Sequence, residues 1–347
     1  MSGAAVEDVL FEERGAIGLI TLNRPKALNA LTPAMCIAMD AQLVRWRDND
    51  TIRAVVIRGA GERAFCAGGD IRALYEAGRT GGADLTDFYR HEYRLNARIK
   101  HFPKPYLALL RGIVMGGGVG VSIHGSHRIA DASAIFAMPE TGIGLFPDVG
   151  GSYFLPRLPG EIGMYLALTG SRLKTPDMLY SEIATHAVAA AHWEMLIDRL
   201  AGGDTPETAL AGLTNDAGVP ALTEFLETVD RCFAHDSVEA ILAALDEDDN
   251  AWGSLAATTI RLKSPTSLKI TFRELREGRS LSFDDCLRME FRMVTRVMTG
   301  HDFFEGVRAT IIDKDNEPAW QPETLPEVTD ADVDAYFASL GENELAL

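Results

Sequence analysis

The sequence predicts an α/β protein. Through residue 137, apolar runs of strand length alternate with stretches of helical periodicity, the pattern of a sheet layered with helices. Two strand-to-helix joins are glycine-rich, AFCAGGD at 64–70 and MGGGVG at 115–120. Beyond about residue 160 the chain changes character and reads as mostly helical. The expected division is therefore a core over residues 1–200 and a mainly helical region over 201–347 that packs on it.

Val9–Glu12 and Ile17–Leu22 read as two short strands around the Arg14-Gly15 turn, and Asn23-Arg24-Pro25 then breaks the pattern. Thr32 reads as an N-cap with Pro33 at the first helical position, opening a helix to about Arg47 with Met35, Met39, Leu43 and Trp46 on one face. Ala54–Arg58 is a β-branched run and a buried strand. Helices follow over Ile71–Ala77 and Leu85–His101, then a strand over Tyr106–Arg111. The glycines 116–118 open a helix to about Gly125, and Arg128–Ala130 and Ala134–Ala137 read as strands around Asp131. Further helices are expected over Glu161–Thr169, Ala187–Leu200, Pro220–Phe233, Ser237–Asp246, Ser254–Leu262, Pro265–Glu277 and Ser282–Thr299.

At 47% hydrophobic, a chain of 347 residues has enough apolar content for a large buried core. A net charge of −17 argues against nonspecific binding to nucleic acid or anionic membranes, which need a basic face. Four scattered cysteines without a CxxC pair fit reduced thiols in a cytoplasm-like compartment. Met1–Leu10 lacks the basic and apolar regions of a secretory signal, and no apolar run reaches the roughly 18 residues of a membrane span.

The two glycine joins share a design. Glycine lets a ligand approach the main chain closely, and a helix start presents unpaired N–H groups with partial positive charge. Two such turns side by side can aim two N–H groups at one oxygen, which is an oxyanion hole; close helix packing is the plainer explanation of the triple glycine. The dinucleotide, P-loop and nucleophile-elbow patterns are all absent. The segment MPETGIGLFPDVGG at 138–151 places Glu140 and Asp148 eight positions apart among glycine, proline and apolar residues. Apolar surroundings raise a carboxyl group into the range useful for proton transfer, so the two acids read either as a catalytic pair or as a helix cap and a turn former.

These segments together resemble the crotonase (enoyl-CoA hydratase/isomerase) superfamily. The resemblance rests on NRPKALNAL at 23–31, AFCAGGDI at 64–71, KPYLALLRGIVMGGGVG at 104–120 and the 138–151 loop. Within it, MGGGVGVSIHG, AMPETGIGLFPDVGG and DFFEGVRATIIDKD at 302–315 are most similar to the subgroup that hydrolyses 3-hydroxyisobutyryl-CoA in valine breakdown. The resemblance implies a crotonase-like core of stacked ββα turns with a helical C-terminal region. It implies an oxyanion hole from the N–H groups of Ala67 and Gly117, with Gly68, Gly69 and Asp70 completing the first turn. Glu140 takes the role of nucleophile or general base, with Asp148 and Glu92 at the hydroxyl end of the substrate. The substrate is an acyl-CoA, with no separate cofactor, no nucleic acid and no membrane partner, and the resemblance allows a homo-oligomer. Arg24, Lys26 and Arg72 are the candidate cations for the CoA phosphates.

One departure separates reaction types. True hydratases carry a second glutamate two residues after the triple glycine, and this chain has Gly120 there. That favours hydrolysis over enoyl-CoA hydration or isomerisation. A non-catalytic acyl-CoA-binding protein predicts lost carboxylates, yet Glu92, Glu140 and Asp148 are present. His124 and His127 are spaced H-x-x-H without a third ligand, so no metal is assigned. Cys66 has no histidine partner in its motif and is not taken as a nucleophile. Met289, Met293 and Val297 read as core or subunit contact.

Overall fold

A computed structural model describes residues 8–81 and 84–347; the reading of the extreme N-terminus rests in part on residues 1–7, outside that range. Contacts divide the chain into two compact units that interleave along the sequence. One comprises residues 1–70, 94–136 and 173–221, and the other residues 71–93, 137–172 and 222–347. This partition differs from the division expected near residue 200. The chain leaves the first unit after Asp70, returns at Arg94, leaves again after Phe136, returns at Leu173 and leaves finally after Ala221.

The first unit is built on ten strands: β1 Val9–Arg14, β2 Ile17–Leu22, β3 Ala54–Gly59, β4 Ala64–Cys66, β5 Tyr106–Leu110, β6 Ile113–Met115, β7 His127–Ala130, β8 Ile135–Ala137, β9 Leu173–Lys174 and β10 His186–Ala187. They form a six-stranded sheet in the order β1-β2-β3-β5-β7-β10 and a four-stranded sheet in the order β4-β6-β8-β9. In the larger sheet only β1 runs antiparallel to its neighbour. Parallel strands are buried on both faces and need continuous apolar runs. YLALL of β5 and the first four residues of β3 are accordingly fully buried. Ile17, Leu19, Val56, Leu107, Leu109 and Ile129 pack from this sheet against Leu196, Ile197 and Leu200 of the Trp193–Ala201 helix.

Three times the chain runs along the large sheet, turns a corner and enters the small one: β3 to β4, β5 to β6, and β7 to β8. At the first corner, the buried Asn29 side chain donates to the carbonyls of Ala60 and Ala64 at 3.0 and 2.9 Å. Gly112 makes the second with φ 58°, and a Cβ there would lie 2.2 Å from the Arg63 carbonyl oxygen, so only glycine fits. At the third, Asp131 accepts from the Ser133 backbone and hydroxyl. This is the stacked ββα repeat that the resemblance implies.

The expected elements are largely present, with differences that have local causes. The Pro33–Arg47 helix begins as expected, with the Thr32 side chain accepting from the Met35 N–H. The helix opened by the triple glycine lasts one turn, Gly117–Gly120. The expected helix over 187–200 starts only at Trp193, because His186 and Ala187 are drawn into the large sheet beside β7. β4 and β6 are only three residues each, too short to show a period before the glycines. The second unit is mainly helical, including Pro265–Gly278, Phe283–Val297 and His301–Val307.

Candidate active site

In the first unit, the two glycine turns follow β4 and β6, which pair in parallel, so both leave the same end of the small sheet. A methyl group on Gly68 would lie 3.7 Å from the Gly117 nitrogen. A Cβ on Gly118 would lie 2.3 Å from the Cys66 carbonyl oxygen, so the triple glycine also allows backbone to meet backbone. Close packing thus accounts for Gly118 in that run.

The donors require one correction. The Ala67 N–H donates to the Leu28 carbonyl at 3.0 Å, so it is spent inside the fold. Leu31 and Gly69 form an isolated parallel bridge, which uses the Gly68 carbonyl and the Asp70 N–H. The middle residue of such a bridge turns its own N–H away from its partner strand. Gly69 is therefore the turn residue whose N–H is directed outward. Gly117 opens its helix at the first position, where the N–H lacks an intrahelical acceptor. The sequence motif marks the turn but not which of its amides the neighbouring segment consumes.

Asp70 and Arg24 pair with each other at 2.9 Å, and Arg24 also donates to the Ala30 carbonyl at 2.7 Å. That arginine locks the Pro25–Ala27 turn onto the glycine turn rather than standing open to a phosphate. Lys26 is exposed on the same turn. In the second unit, Arg72 is half exposed and donates to the Ile311 carbonyl at 3.0 Å.

The second unit holds the acids. Glu92 on the Thr86–Lys100 helix, Glu140 at the start of the 3-10 turn after β8, and Asp148 on the following loop are each 5% exposed or less. Tyr93 donates its hydroxyl to Asp148 Oδ2 at 2.8 Å. Glu92 Oε1 and Glu140 Oε2 have no hydrogen-bond partner. Burial first, then the charges of Asp148 and Glu140, raise Glu92 well above the carboxylate range. Burial and the Asp148 charge do the same to Glu140. Asp148 is pushed by burial up to about 7, with the Tyr93 hydrogen bond pulling it down. Buried acids raised by burial and by each other are the arrangement from which proton-transfer groups and nucleophiles are made.

The structure also places residues that sequence reasoning missed. Tyr93 is one; its only sequence signal was its position beside Glu92. Glu290 is another, fully buried in the Phe283–Val297 helix, where a glutamate amid apolar neighbours was a readable anomaly. Glu274, on the Pro265–Gly278 helix, is fully buried with neither oxygen hydrogen-bonded. The downstream DFFEGVRATIIDKD segment acts as a brace. A Cβ on Gly306 would lie 2.5 Å from the Ile143 backbone, so this glycine lets its helix seat on the turn that follows Glu140. Asp302 accepts from the Ser264 hydroxyl at 2.6 Å, and Arg308 pairs with Glu305, Asp313 and Asp315. His127 stacks on His186 with ring centroids 5.8 Å apart. Among the described residues no group of three or more His, Cys, Asp or Glu has a metal-holding arrangement.

Corners repeated between two sheets, glycine turns with outward amides and acids buried on the loop after the third corner define the class of crotonase-fold proteins. The chain belongs to the enoyl-CoA hydratase/isomerase family, whose model matches residues 17–337. It is 49% identical to the 3-hydroxyisobutyryl-CoA hydrolase, mitochondrial, of Danio rerio over 100% of this chain and 94% of that one. The human protein of the same name is 45% identical over 98% of this chain and 91% of its own length. Among solved structures, a carnitinyl-CoA dehydratase from Mycobacterium thermoresistibile superposes with a TM-score of 0.93 at 42% identity, covering 98% of this chain and 99% of that one. An enoyl-CoA hydratase from Rhodobacter sphaeroides 2.4.1 gives 0.92 at 40% identity, covering 98% and 100%.

Proposed function

We propose that this protein is an acyl-CoA thioester hydrolase that cleaves 3-hydroxyisobutyryl-CoA to 3-hydroxyisobutyrate and CoA. The observation that carries the reading is the buried array of Glu92, Glu140 and Asp148, with Asp148 held by Tyr93, in a chain that has Gly120 where hydratases place a second glutamate. The curated relatives named for this hydrolase support the substrate.

In this mechanism the thioester oxygen sits between the N–H groups of Gly117 and Gly69, the latter replacing Ala67. Charge grows on that oxygen as the tetrahedral intermediate forms, and each such donor is worth about 10²–10³ in rate. Glu140 attacks the carbonyl carbon or removes a proton from the attacking water. Asp148, near neutrality, delivers a proton to the departing CoA sulfur or holds the 3-hydroxyl, and Glu92 orients that end of the substrate. Water and the acyl-CoA complete the reaction, and no further cofactor is assigned. Lys26 and Arg72 remain the cations proposed for the CoA phosphates. The four cysteines are free and buried, which fits a reducing, cytoplasm-like compartment; the curated relatives are named as mitochondrial. No described helix is long and apolar enough to cross a membrane.

The structural relatives titled as hydratase and dehydratase favour a second reading, water addition or removal on an acyl-CoA. Thiol release from 3-hydroxyisobutyryl-CoA, run beside loss of crotonyl-CoA absorbance on wild type and Glu140→Gln, separates the two. The hydrolase predicts thiol release that the variant loses, with crotonyl-CoA untouched. Crotonyl-CoA consumption without thiol release would establish the second reading. Silence in both assays would favour another acyl-CoA as substrate or an acyl-CoA-binding protein.

A further inference from the structure

The loop that carries Asp148 is strained directly after it. Val149 has φ 54° and Gly150 φ 86°, and Val149 is buried. A left-handed backbone is costly for a β-branched residue and persists only where the surroundings over-determine it.

Glu290 supplies that constraint. Its Oε2 accepts from the Gly150 N–H at 2.8 Å, and its Oε1 accepts from the Ser152 N–H at 3.0 Å and the Ser152 hydroxyl at 2.5 Å. Both oxygens are thus spent on Gly150, the second member of the left-handed pair, and on Ser152 just beyond it. The adjacent Phe291 meets Tyr93 edge-on with ring centroids 6.4 Å apart, and Tyr93 is the residue that donates to Asp148. One helix therefore acts on Asp148 from two directions, through the backbone of the turn that follows it and through its hydrogen-bond donor.

A second helix backs the segment. At one end the Ser264 N–H donates to the Thr141 carbonyl at 3.2 Å; at the other, a Cβ on Gly278 would lie 2.1 Å from the Ser152 carbonyl oxygen. Between these anchors Thr271 and Glu274, three apart and so on one face, are fully buried with unpartnered side-chain oxygens. An ionised carboxylate there without a partner is too costly, so Glu274 stays neutral behind the loop and sets no full charge against Glu290.

We propose that Glu290 is a positioning residue for the reaction, locking the strained Val149–Gly150 turn through Gly150 and Ser152 and so aiming the Asp148 carboxyl group. The inference rests on the reading of Asp148 as part of the hydrolytic site. Its contrary is a purely structural glutamate capping the short Gly151–Phe154 helix.

The test is steady-state thiol release from 3-hydroxyisobutyryl-CoA by wild type, Glu290→Gln, Ser152→Ala and the double variant, with folded protein measured in parallel. In Glu290→Gln one acceptor becomes an NH2 group facing an N–H. Positioning predicts a loss of kcat of about 10–100-fold per folded molecule with KM changed less than about twofold, because ground-state binding is kept while reactive geometry is lost. Ser152→Ala should cost about two- to fivefold, and the double variant should be no worse than Glu290→Gln alone, since both act through one network. Wild-type kcat in folded Glu290→Gln, or additive losses, would overturn the proposal. If Glu290→Gln does not fold, Val149→Gly is combined with it to relieve the turn. A folded double variant with low kcat supports positioning, and one with wild-type kcat overturns it. A wild type that releases no thiol would overturn the hydrolase reading and this inference with it, whereas an active wild type beside an equally active Glu290→Gln removes only the inference.

Discussion

At the residue scale, burial lifts Asp148 to about 7 and the Tyr93 hydrogen bond pulls it down. Tyr93→Phe removes a donor that favours the ionised form, so Asp148 should titrate above its present value of about 7. A hydrogen bond of this kind is worth about 1–2 kcal/mol, so kcat should fall about tenfold, and the pH dependence of kcat should move upward. Asp148→Asn acts in the opposite sense on its neighbour. The Asp148 charge raises Glu140, so removing it lets Glu140 ionise at lower pH. The acid limb of kcat/KM should then move to lower pH even as the rate falls. A limb that stays in place would mean that the two carboxyl groups do not couple.

At the element scale, the site depends on places where one backbone sits directly on another. Gly118 against the Cys66 carbonyl fixes the distance between the two glycine turns, and Gly306 against Ile143 braces the turn after Glu140. Gly118→Ala forces a Cβ to within 2.3 Å of backbone and should cost about 1–3 kcal/mol. Urea denaturation reads that loss, and kcat should fall with it because the Gly117 amide moves. An unchanged denaturation midpoint would show that the two turns are freer to shift than their packing implies. The corner glycine Gly112, with its left-handed φ and equally close backbone neighbour, should tolerate alanine no better.

At the scale of the whole molecule, the buried acids govern how stability responds to pH. Asp148 is raised to about 7, mainly by burial, and Glu92, Glu140 and Glu274 are raised well above the carboxylate range. In each case the folded state keeps a proton that the unfolded chain has lost. Stability should therefore fall as pH rises from about 4 through 8, with Asp148 alone contributing on the order of 4 kcal/mol across its window. Exposed acids such as Asp246 and Asp332, lowered by hydrogen bonds from Arg261 and Thr329, act in the window below about 4 and do not offset this. Melting temperature should thus be higher at pH 5.5 than at pH 8.5. Glu274→Gln should make that slope shallower, because the amide has no proton to lose. A slope equal to that of wild type would remove Glu274 from the set.

Much of the protein was legible in order along the chain. The family resemblance supplied Glu92 and Gly117; apolar runs marked β2, β3 and β5, the Thr32-Pro33 pair marked its helix start, and the 138–151 segment marked Glu140 and Asp148 as candidates. These are properties of neighbours in sequence: period, capping chemistry and the conformational freedom of glycine. What the chain alone left open depends on segments far apart in sequence. Leu28 decides that the Ala67 amide is spent, leaving Gly69 outward. β7 decides that Ala187 is strand rather than the start of a helix. Glu290, 142 residues beyond Asp148 in sequence, decides the conformation of the turn that Asp148 begins. A local pattern records what a residue is able to do; which donors and acceptors remain unspent depends on the partners that folding brings to it.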